Sequence, residues 1–275
     1  MPSGASLLKS YAQEGKDFYG LANPDYDVSF AQEQELLPKR KPEFLPVDET
    51  IRKCLEGKKW QSLPSGAKEI EQNKGWYTLR YTQDQVILRQ GKDATKNNFI
   101  REVSGKRWLH LSTHGFFIKE NQHKVESFPI MNKHRDGPLV TPLQLSGVIL
   151  AGANTSSNTT NDGYLTAGDI ALLPLNGVKC VVLSACDTGL GEYLPGIGVF
   201  SFKWAFEYAG VRYLVMSLWK VPDAETMVLM NKFYCNHVIM EVWKSLWQAQ
   251  REYLAAHRKA KDGKSHPYFW AAFLC

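Results

Sequence analysis

Two short segments of the chain are apolar at almost every position, and they constrain the fold more than any other feature. Residues 178–183 read Val-Lys-Cys-Val-Val-Leu, and residues 212–216 read Arg-Tyr-Leu-Val-Met. Strands that are covered on both faces lack the alternation of polar and apolar residues found in half-exposed strands, and they are typical of parallel sheets flanked by helices. The two segments therefore predict the central strands of an α/β fold.

Short β-branched runs, turns and longer helical stretches alternate along the rest of the chain, which indicates a mainly parallel sheet with helices on its faces. The predicted strands are residues 18–22, 85–89, 107–112, 147–151, 178–184, 212–217 and 268–274. The predicted helices are residues 64–73, 95–103, 170–173, 198–208 and 224–257, the last with a break near Asn236. Thr166 and Asp169 have the spacing of a capping box at the start of the third helix.

Aromatic residues recur at every fourth position in two of these helices. One side of the helix at 198–208 carries Phe200, Trp204 and Tyr208, and one side of the helix at 224–257 carries Trp243 and Trp247. Aromatic stripes at this spacing are more often core than ligand contacts, so both are predicted to pack against the sheet.

Composition excludes several classes of protein. With 275 residues, 44% of them hydrophobic, the chain can bury a large core. No apolar run approaches the roughly 20 residues of a membrane-spanning helix, and the N-terminus lacks a secretion signal. A cytoplasmic protein without membrane contact is therefore predicted. The net charge of +5 is dispersed, and its densest runs, residues 39–41 and 258–264, are typical of solvated surface rather than of direct nucleic-acid binding.

The cysteines argue against a disulfide framework or a zinc site. There are five, an odd number, and they are scattered without a Cys-x-x-Cys pair. The chain is accordingly predicted to need no metal.

Two of the predicted strands end at residues that support nucleophilic chemistry. His114 and Gly115 follow the strand at 107–112, and Cys186 follows the strand at 178–184. Carboxyl ends of parallel strands meet at the edge where α/β folds bind ligands. A thiol needs a nearby base to become the nucleophilic thiolate, and an imidazole supplies one. Backbone N–H groups of Gly115 and Cys186 are candidates to bind the oxyanion that develops.

Each residue taken alone has a simpler explanation. A histidine at a strand end is more often a hydrogen-bonded structural residue, and a cysteine flanked by apolar residues is usually a small core side chain. Cys180 lies inside its strand and is predicted to be inert. His110, His123 and His134 are predicted to be structural or solvated.

At these motifs the chain resembles the CHAT domain family, which is caspase-like, related to caspases and separases, and often associated with tetratricopeptide repeats. The resemblance is carried by residues 109–115 (LHLSTHG), 162–167 (DGYLTA), 183–191 (LSACDTGLG), 196–200, 209–212, 215–223 (VMSLWKVPD) and 266–273 (HPYFWAAF). It implies a caspase-like three-layer sandwich formed by a single domain over residues 1–275. Residues 1–60 would be its variable part, and the domain would be excised from a longer chain.

The resemblance also implies an activity and a site. It implies a cysteine endopeptidase that hydrolyses peptide bonds of a protein substrate through His114 and Cys186, without metal or organic cofactor. Candidates for the pocket that selects the substrate residue are Ser184, Asp187, Ser217 and Trp219.

The family setting implies regulation. The chain would be an effector domain in bacterial signalling or defence, controlled by a partner or by a fused sensor or repeat domain. The alternatives are a catalytically silent scaffold or protein-binding module, and a hydrolase of small amides. The polar stretch at 120–138 is a candidate regulatory loop, with surface filler as the alternative.

Overall fold

The computed structural model describes residues 13–30, 47, 49–118, 142–155, 162–184 and 197–275. Cys186, Asp187, His123, His134 and the stretch at 120–138 lie outside the described residues.

The helices and strands alternate along the chain. The described strands are β1 (Lys16–Pro24), β2 (Val86–Gly91), β3 (Lys106–Ser112), β4 (Gly115–Phe117), β5 (Ser146–Ile149), β6 (Tyr164–Thr166), β7 (Cys180–Leu183), β8 (Tyr213–Ser217) and β9 (Phe273–Leu274). The described helices are α1 (Glu49–Leu55), α2 (Pro64–Arg80), α3 (Lys96–Glu102), α4 (Ala167–Ala171), α5 (Ile197–Ala209), α6 (Asp223–His237), α7 (Val242–Ala260) and α8 (Pro267–Trp270).

Six of the described strands form the main sheet, in the order β2-β1-β3-β7-β8-β9. All neighbours pair in parallel except β8 and β9, which are antiparallel. The α/β fold with a mainly parallel sheet is therefore confirmed. A second, antiparallel sheet of β4, β5 and β6 extends from the end of β3. Of its three strands, the sequence pattern predicts only β5.

Helices cover both faces of the main sheet, which gives three layers. On one face, Phe99 of α3, Ile170 of α4 and Phe206 of α5 belong to one buried apolar cluster. On the opposite face, a second cluster holds side chains of α2, α6 and α7, among them Ile70 and Phe233. Apolar side chains thus alternate between the two clusters along each central strand, and this explains why β7 is apolar throughout.

The prediction that the aromatic stripes pack on the sheet is wrong. Trp204 and Tyr208 are 49% and 65% exposed, and Trp243 and Trp247 are each 53% exposed. The faces that α5 and α7 bury are instead offset along each helix from these residues. Their buried members are Phe202, Ala205, Phe206 and Ala209 on α5, and Val242, Leu246, Ala249 and Tyr253 on α7. Both sides of these helices carry apolar residues, so the spacing of the largest ones did not identify the inner side. The side chain of Phe200 lies outside the described part of the chain.

The strand predicted at 268–274 is wrong over most of its length. Pro267 begins the short helix α8, and the His266 ring accepts a hydrogen bond from the Tyr268 N–H at its start. Only Phe273 and Leu274 pair with β8. The helix predicted at 64–73 continues as α2 to Arg80, because Tyr77 adds another turn to its buried side. The break predicted near Asn236 is confirmed by the separation of α6 from α7.

The motif at 162–167 has a structural role in this fold. The predicted capping box is confirmed, since Thr166 Oγ1 accepts from the Asp169 N–H at 3.0 Å and the Asp169 carboxylate accepts from the Thr166 N–H at 3.0 Å. The buried carboxylate of Asp162 accepts from the backbone N–H of Val47 at 2.6 Å. Gly163 has φ of 77°, and a Cβ there would lie 2.5 Å from the backbone nitrogen of Ala153. The motif therefore joins α4 and the small sheet to the segment before α1.

Within the described residues, no helix combines the length and the apolar character needed to cross a bilayer.

Candidate functional site

His114 lies at the carboxyl edge of the main sheet, between the end of β3 and the start of β4. Its side chain is buried between two aromatic rings, with centroid distances of 5.3 Å to Tyr26 and 5.5 Å to Trp60. The Tyr26 hydroxyl and Thr113 Oγ1 are 3.0 Å apart, and Thr113 Oγ1 in turn donates to the Ile149 carbonyl. These contacts restrict the imidazole to one position in the cleft described below.

A backbone carbonyl determines which nitrogen of His114 carries the proton. The Nε2 atom lies 2.7 Å from the carbonyl oxygen of Gln61. A carbonyl can only accept a hydrogen bond, so Nε2 carries a proton, and in the neutral form of the ring the lone pair is on Nδ1. The imidazole is thereby oriented with Nε2 toward the Gln61 carbonyl.

The segment that supplies this carbonyl is fixed on both sides by asparagine side chains. Asn154 bonds both the N–H and the carbonyl of Trp60, each at 3.0 Å. Asn23 accepts from the Leu63 N–H at 2.6 Å. Gln61 acts through its backbone, so the sequence carried no signal for its role.

Ser184 brings the second predicted strand end to the same place. Its N–H donates to the Leu111 carbonyl at 2.9 Å, which continues the pairing of β3 with β7 by one residue. The ends of β3, β7 and β8 therefore lie side by side, about 5 Å apart. Cys186 is two residues further along the chain than Ser184.

A cleft of about 460 Å³ opens at this edge of the sheet, within the usual size range of small-ligand sites. Its walls come from the start of α2, from the ends of β3 and β7, and from the segment between β8 and α6. The lining residues are Gln61, Leu63, Ser65, Gly66, Glu69, Ser112, Thr113, His114, Ser184, Lys220, Val221, Pro222, Asp223 and Thr226. A Cβ on Gly66 would lie 2.4 Å from Ser112 Oγ, so glycine is required for α2 to approach β3 this closely.

The backbone N–H of Gly115 points away from the small sheet. Gly115 stands opposite Val148, while its neighbour His114 accepts at its carbonyl from the Ile149 N–H at 2.8 Å. In an antiparallel pair, hydrogen-bonded and non-hydrogen-bonded positions alternate, so the Gly115 position is of the second kind. Its N–H is directed off the outer edge of β4, next to His114.

Sequence comparison decides the family. The profile of the CHAT domain matches residues 2–275. The chain belongs to the CHAT domain family. This family is related to caspase-like peptidases, and the described sheet with its flanking helices agrees with a caspase-like fold. A comparison with curated proteins finds no match. The resemblance to the CHAT family that the sequence motifs indicated is thus confirmed.

Not all of the predicted pocket residues of this CHAT domain line the cleft. Ser184 lines the cleft, whereas Ser217 and Trp219 are not among its lining residues. Trp219 donates through its indole N–H to the Tyr268 carbonyl at 2.9 Å, so its ring belongs to the contact with α8. The cleft wall after β8 is formed by the next residues, Lys220 to Asp223.

Glu69 is a cleft residue that sequence reasoning missed. It lies on α2, is only 3% exposed, and accepts from Ser184 Oγ at 2.6 Å. The same oxygen, Oε1, is 2.9 Å from His110 Nε2. An acidic residue in a helix with several charges is usually solvated. The available signal for burial of Glu69 was its place on the side of α2 that holds the buried Ile70.

None of the four described cysteines is among the residues that line the cleft, and Cys54 is half-buried. Cys180 is buried in β7, and burial raises the pKa of its thiol, which agrees with the inert role predicted for it. Cys235 and Cys275 are exposed. In the described part of the chain, no group of three or more His, Cys, Asp or Glu residues has an arrangement able to hold a metal ion.

Proposed function

We propose that this CHAT domain is a cysteine endopeptidase in which His114 and Cys186 form the catalytic dyad. The observation that carries the proposal is the position of His114, whose ring shares the cleft with Ser184. Cys186 follows Ser184 by two residues in the sequence, which supports its assignment to the same site.

Each step of peptide hydrolysis has a candidate group in this arrangement. Nδ1 of His114 takes the thiol proton, and the resulting thiolate attacks the carbonyl carbon of the peptide bond. Backbone N–H groups of Gly115 and Cys186 stabilise the oxyanion. The imidazolium then gives its proton to the leaving amine, which leaves a thioester on Cys186. Water, deprotonated by the same imidazole, hydrolyses the thioester and restores the thiol.

The substrate pocket of the proposed peptidase includes Ser184. Asp187, Ser217 and Trp219 stay candidates for it on sequence grounds. The domain spans residues 1–275 with its variable part in residues 1–60, and it works as a cytoplasmic effector in bacterial signalling or defence. A partner or a fused sensor or repeat domain controls it.

The test compares two cysteine variants on a peptide library. We expect the wild-type chain to cleave a subset of the library, and Cys186→Ala to lower the rate by at least about 10³-fold, because alanine has no nucleophile. Cys235→Ala, which removes an exposed thiol on α6, is expected to cleave at the wild-type rate. Mass spectrometry of the products measures both.

Two outcomes would contradict the proposal. If Cys186→Ala cleaves as fast as the wild type, the nucleophile lies elsewhere. If the folded wild-type chain cleaves no peptide, alone or with candidate activators, the catalytically silent scaffold becomes the better account.

A further inference from the structure

A buried chain of hydrogen bonds crosses the α2 side of the sheet and ends at the cleft. It runs from the Trp108 indole to the Tyr234 hydroxyl (2.7 Å), then to His110 Nδ1 (2.8 Å). From His110 Nε2 it reaches Glu69 Oε1, which also accepts from Ser184 Oγ. The peptidase chemistry proposed above uses none of the first four residues directly.

The donor and acceptor in each of these hydrogen bonds can be assigned by starting from Trp108. The indole N–H of Trp108 can only donate, so the Tyr234 oxygen accepts from it. Burial raises the pKa of Tyr234, so its hydroxyl keeps its proton and donates it to His110 Nδ1. His110 therefore accepts at Nδ1 and donates from its Nε2–H to Glu69.

Glu69 is consequently a buried acidic side chain that accepts a hydrogen bond from His110. Its Oε1 accepts two hydrogen bonds, and among the described residues none forms a hydrogen bond with its Oε2. No lysine or arginine in the described part of the chain forms an ion pair with it. Buried charges in proteins are normally paired, because an isolated ion loses its hydration without compensation.

The position of Glu69 indicates where a cationic partner of its side chain would bind. The residue lines the cleft and is held against Ser184, two positions before Cys186. Lys220 and Asp223 also line the cleft; both are exposed, and both follow β8 in the chain. An oriented carboxylate in such a pocket matches a guanidinium or ammonium group.

We propose that Glu69 is a specificity residue of the cleft and binds the cationic side chain, arginine or lysine, of the substrate residue that precedes the cleaved bond. This inference rests on the proposed function, because only a peptidase would have a substrate residue at this site. The cation site itself rests only on Glu69 and its partners.

The first measurement needs no catalysis. We expect benzamidine, an arylamidinium probe, to bind the wild-type chain in an NMR titration, and its neutral isostere benzamide to bind at least about tenfold more weakly. Glu69→Gln keeps an oxygen that can accept from His110 and Ser184 but removes the charge, so benzamidine binding should fall by about tenfold or more. Glu71→Gln, an equal change at an exposed position of α2, is the matched control and should bind as the wild type does.

The second measurement uses the reactive centre. Two peptidyl acyloxymethyl ketones that differ only in their last residue, arginine against citrulline, are compared for the rate of labelling of Cys186. We expect the arginine ketone to react at least about tenfold faster with the wild type, and the two rates to become equal in Glu69→Gln. Glu69→Asp, which keeps the charge, should restore part of the preference. Thermal unfolding of each variant separates loss of charge from loss of fold.

The outcomes distinguish this proposal from the one on which it rests. Equal labelling by the two ketones, with labelling still dependent on Cys186, would overturn the role of Glu69 and leave the peptidase. Benzamidine binding that depends on Glu69, without any labelling of Cys186, would support the cation site and count against the peptidase. Benzamidine binding that is the same in wild type and Glu69→Gln would overturn the cation site.

Discussion

Replacing His114 by alanine is expected to lower the kcat/KM for peptide cleavage by roughly 10⁴-fold, mainly through kcat. The ring accepts the thiol proton and later protonates the leaving amine, and removal of a catalytic histidine in comparable enzymes costs this much or more. Substrate contacts in the cleft are left in place, so KM should change little. Steady-state kinetics on a peptide taken from the cleaved subset measure both constants.

Two further variants show whether the loss is chemical. His114→Gln fills more of the space between Tyr26 and Trp60 than alanine does, and it should be as inactive because an amide is not a base at neutral pH. His266→Ala removes an exposed histidine at the start of α8 and should keep the wild-type kcat/KM. A His114→Gln variant that retains most of its activity would contradict the assignment of the base.

Replacing Lys96 by methionine is expected to destabilise the fold by about 3–5 kcal/mol, the usual loss when one partner of a buried ionic cluster is removed. The Lys96 ammonium is fully buried and lies 3.1 Å from Asp169 Oδ2 and 3.9 Å from Asp162 Oδ1. Methionine fills a similar volume but leaves both carboxylates without this charge. Urea unfolding followed by circular dichroism measures the change.

The loss should depend on pH in a defined direction. Burial already raises the pKa of Asp162 above its ordinary value, against the opposing effect of Lys96. A carboxyl whose folded pKa is raised holds a proton that the unfolded chain has released, so its contribution to stability falls as pH rises. Removal of Lys96 raises the pKa of Asp162 further, because the charge that opposes the effect of burial is lost. The destabilisation should therefore be larger at pH 7 than near pH 4.

An exposed lysine provides the control for this variant. Lys53→Met removes the exposed pair with Glu49 on α1 and should not change stability measurably at either pH. Equal losses in the two variants, or a loss in Lys96→Met that grows as the pH is lowered, would contradict the account of the buried cluster.

The central sheet could be predicted because its strands leave few alternatives. β7 and β8 are apolar on both faces, which only a strand buried between two layers tolerates, and β3 leads into His114 through a similar run. Pairing in parallel then brought the strand ends to one edge. The α/β fold and the neighbourhood of His114 and Ser184 follow from these patterns alone.

Helix orientation could not be predicted in the same way. On α5 the large aromatics Trp204 and Tyr208 stack on each other at 4.9 Å on the outer side, while smaller residues such as Ala205 allow the helix to approach the sheet. Aromatic size was a misleading signal here, since α5 carries aromatic residues on both sides: Phe202 and Phe206 are buried, while Trp204 and Tyr208 are exposed.

The parts of the site that escaped prediction depend on tertiary contacts. The Gln61 carbonyl has no side-chain signature and is placed by Asn23 and Asn154, which are distant in sequence. Glu69 has the appearance of a surface charge until α2 is packed against the ends of β3 and β7. Residues of this kind are found only after the helix has been packed on the sheet.

The most direct measurement is the location of a covalent label on the folded chain. The protein is treated with a peptidyl acyloxymethyl ketone, digested, and searched by mass spectrometry for the modified cysteine. Modification of Cys186 in the wild type, with little or none in His114→Ala, is the predicted result. Modification of the exposed Cys235 or Cys275 at the same rate as Cys186, or labelling of Cys186 that is equal in His114→Ala, would contradict the dyad.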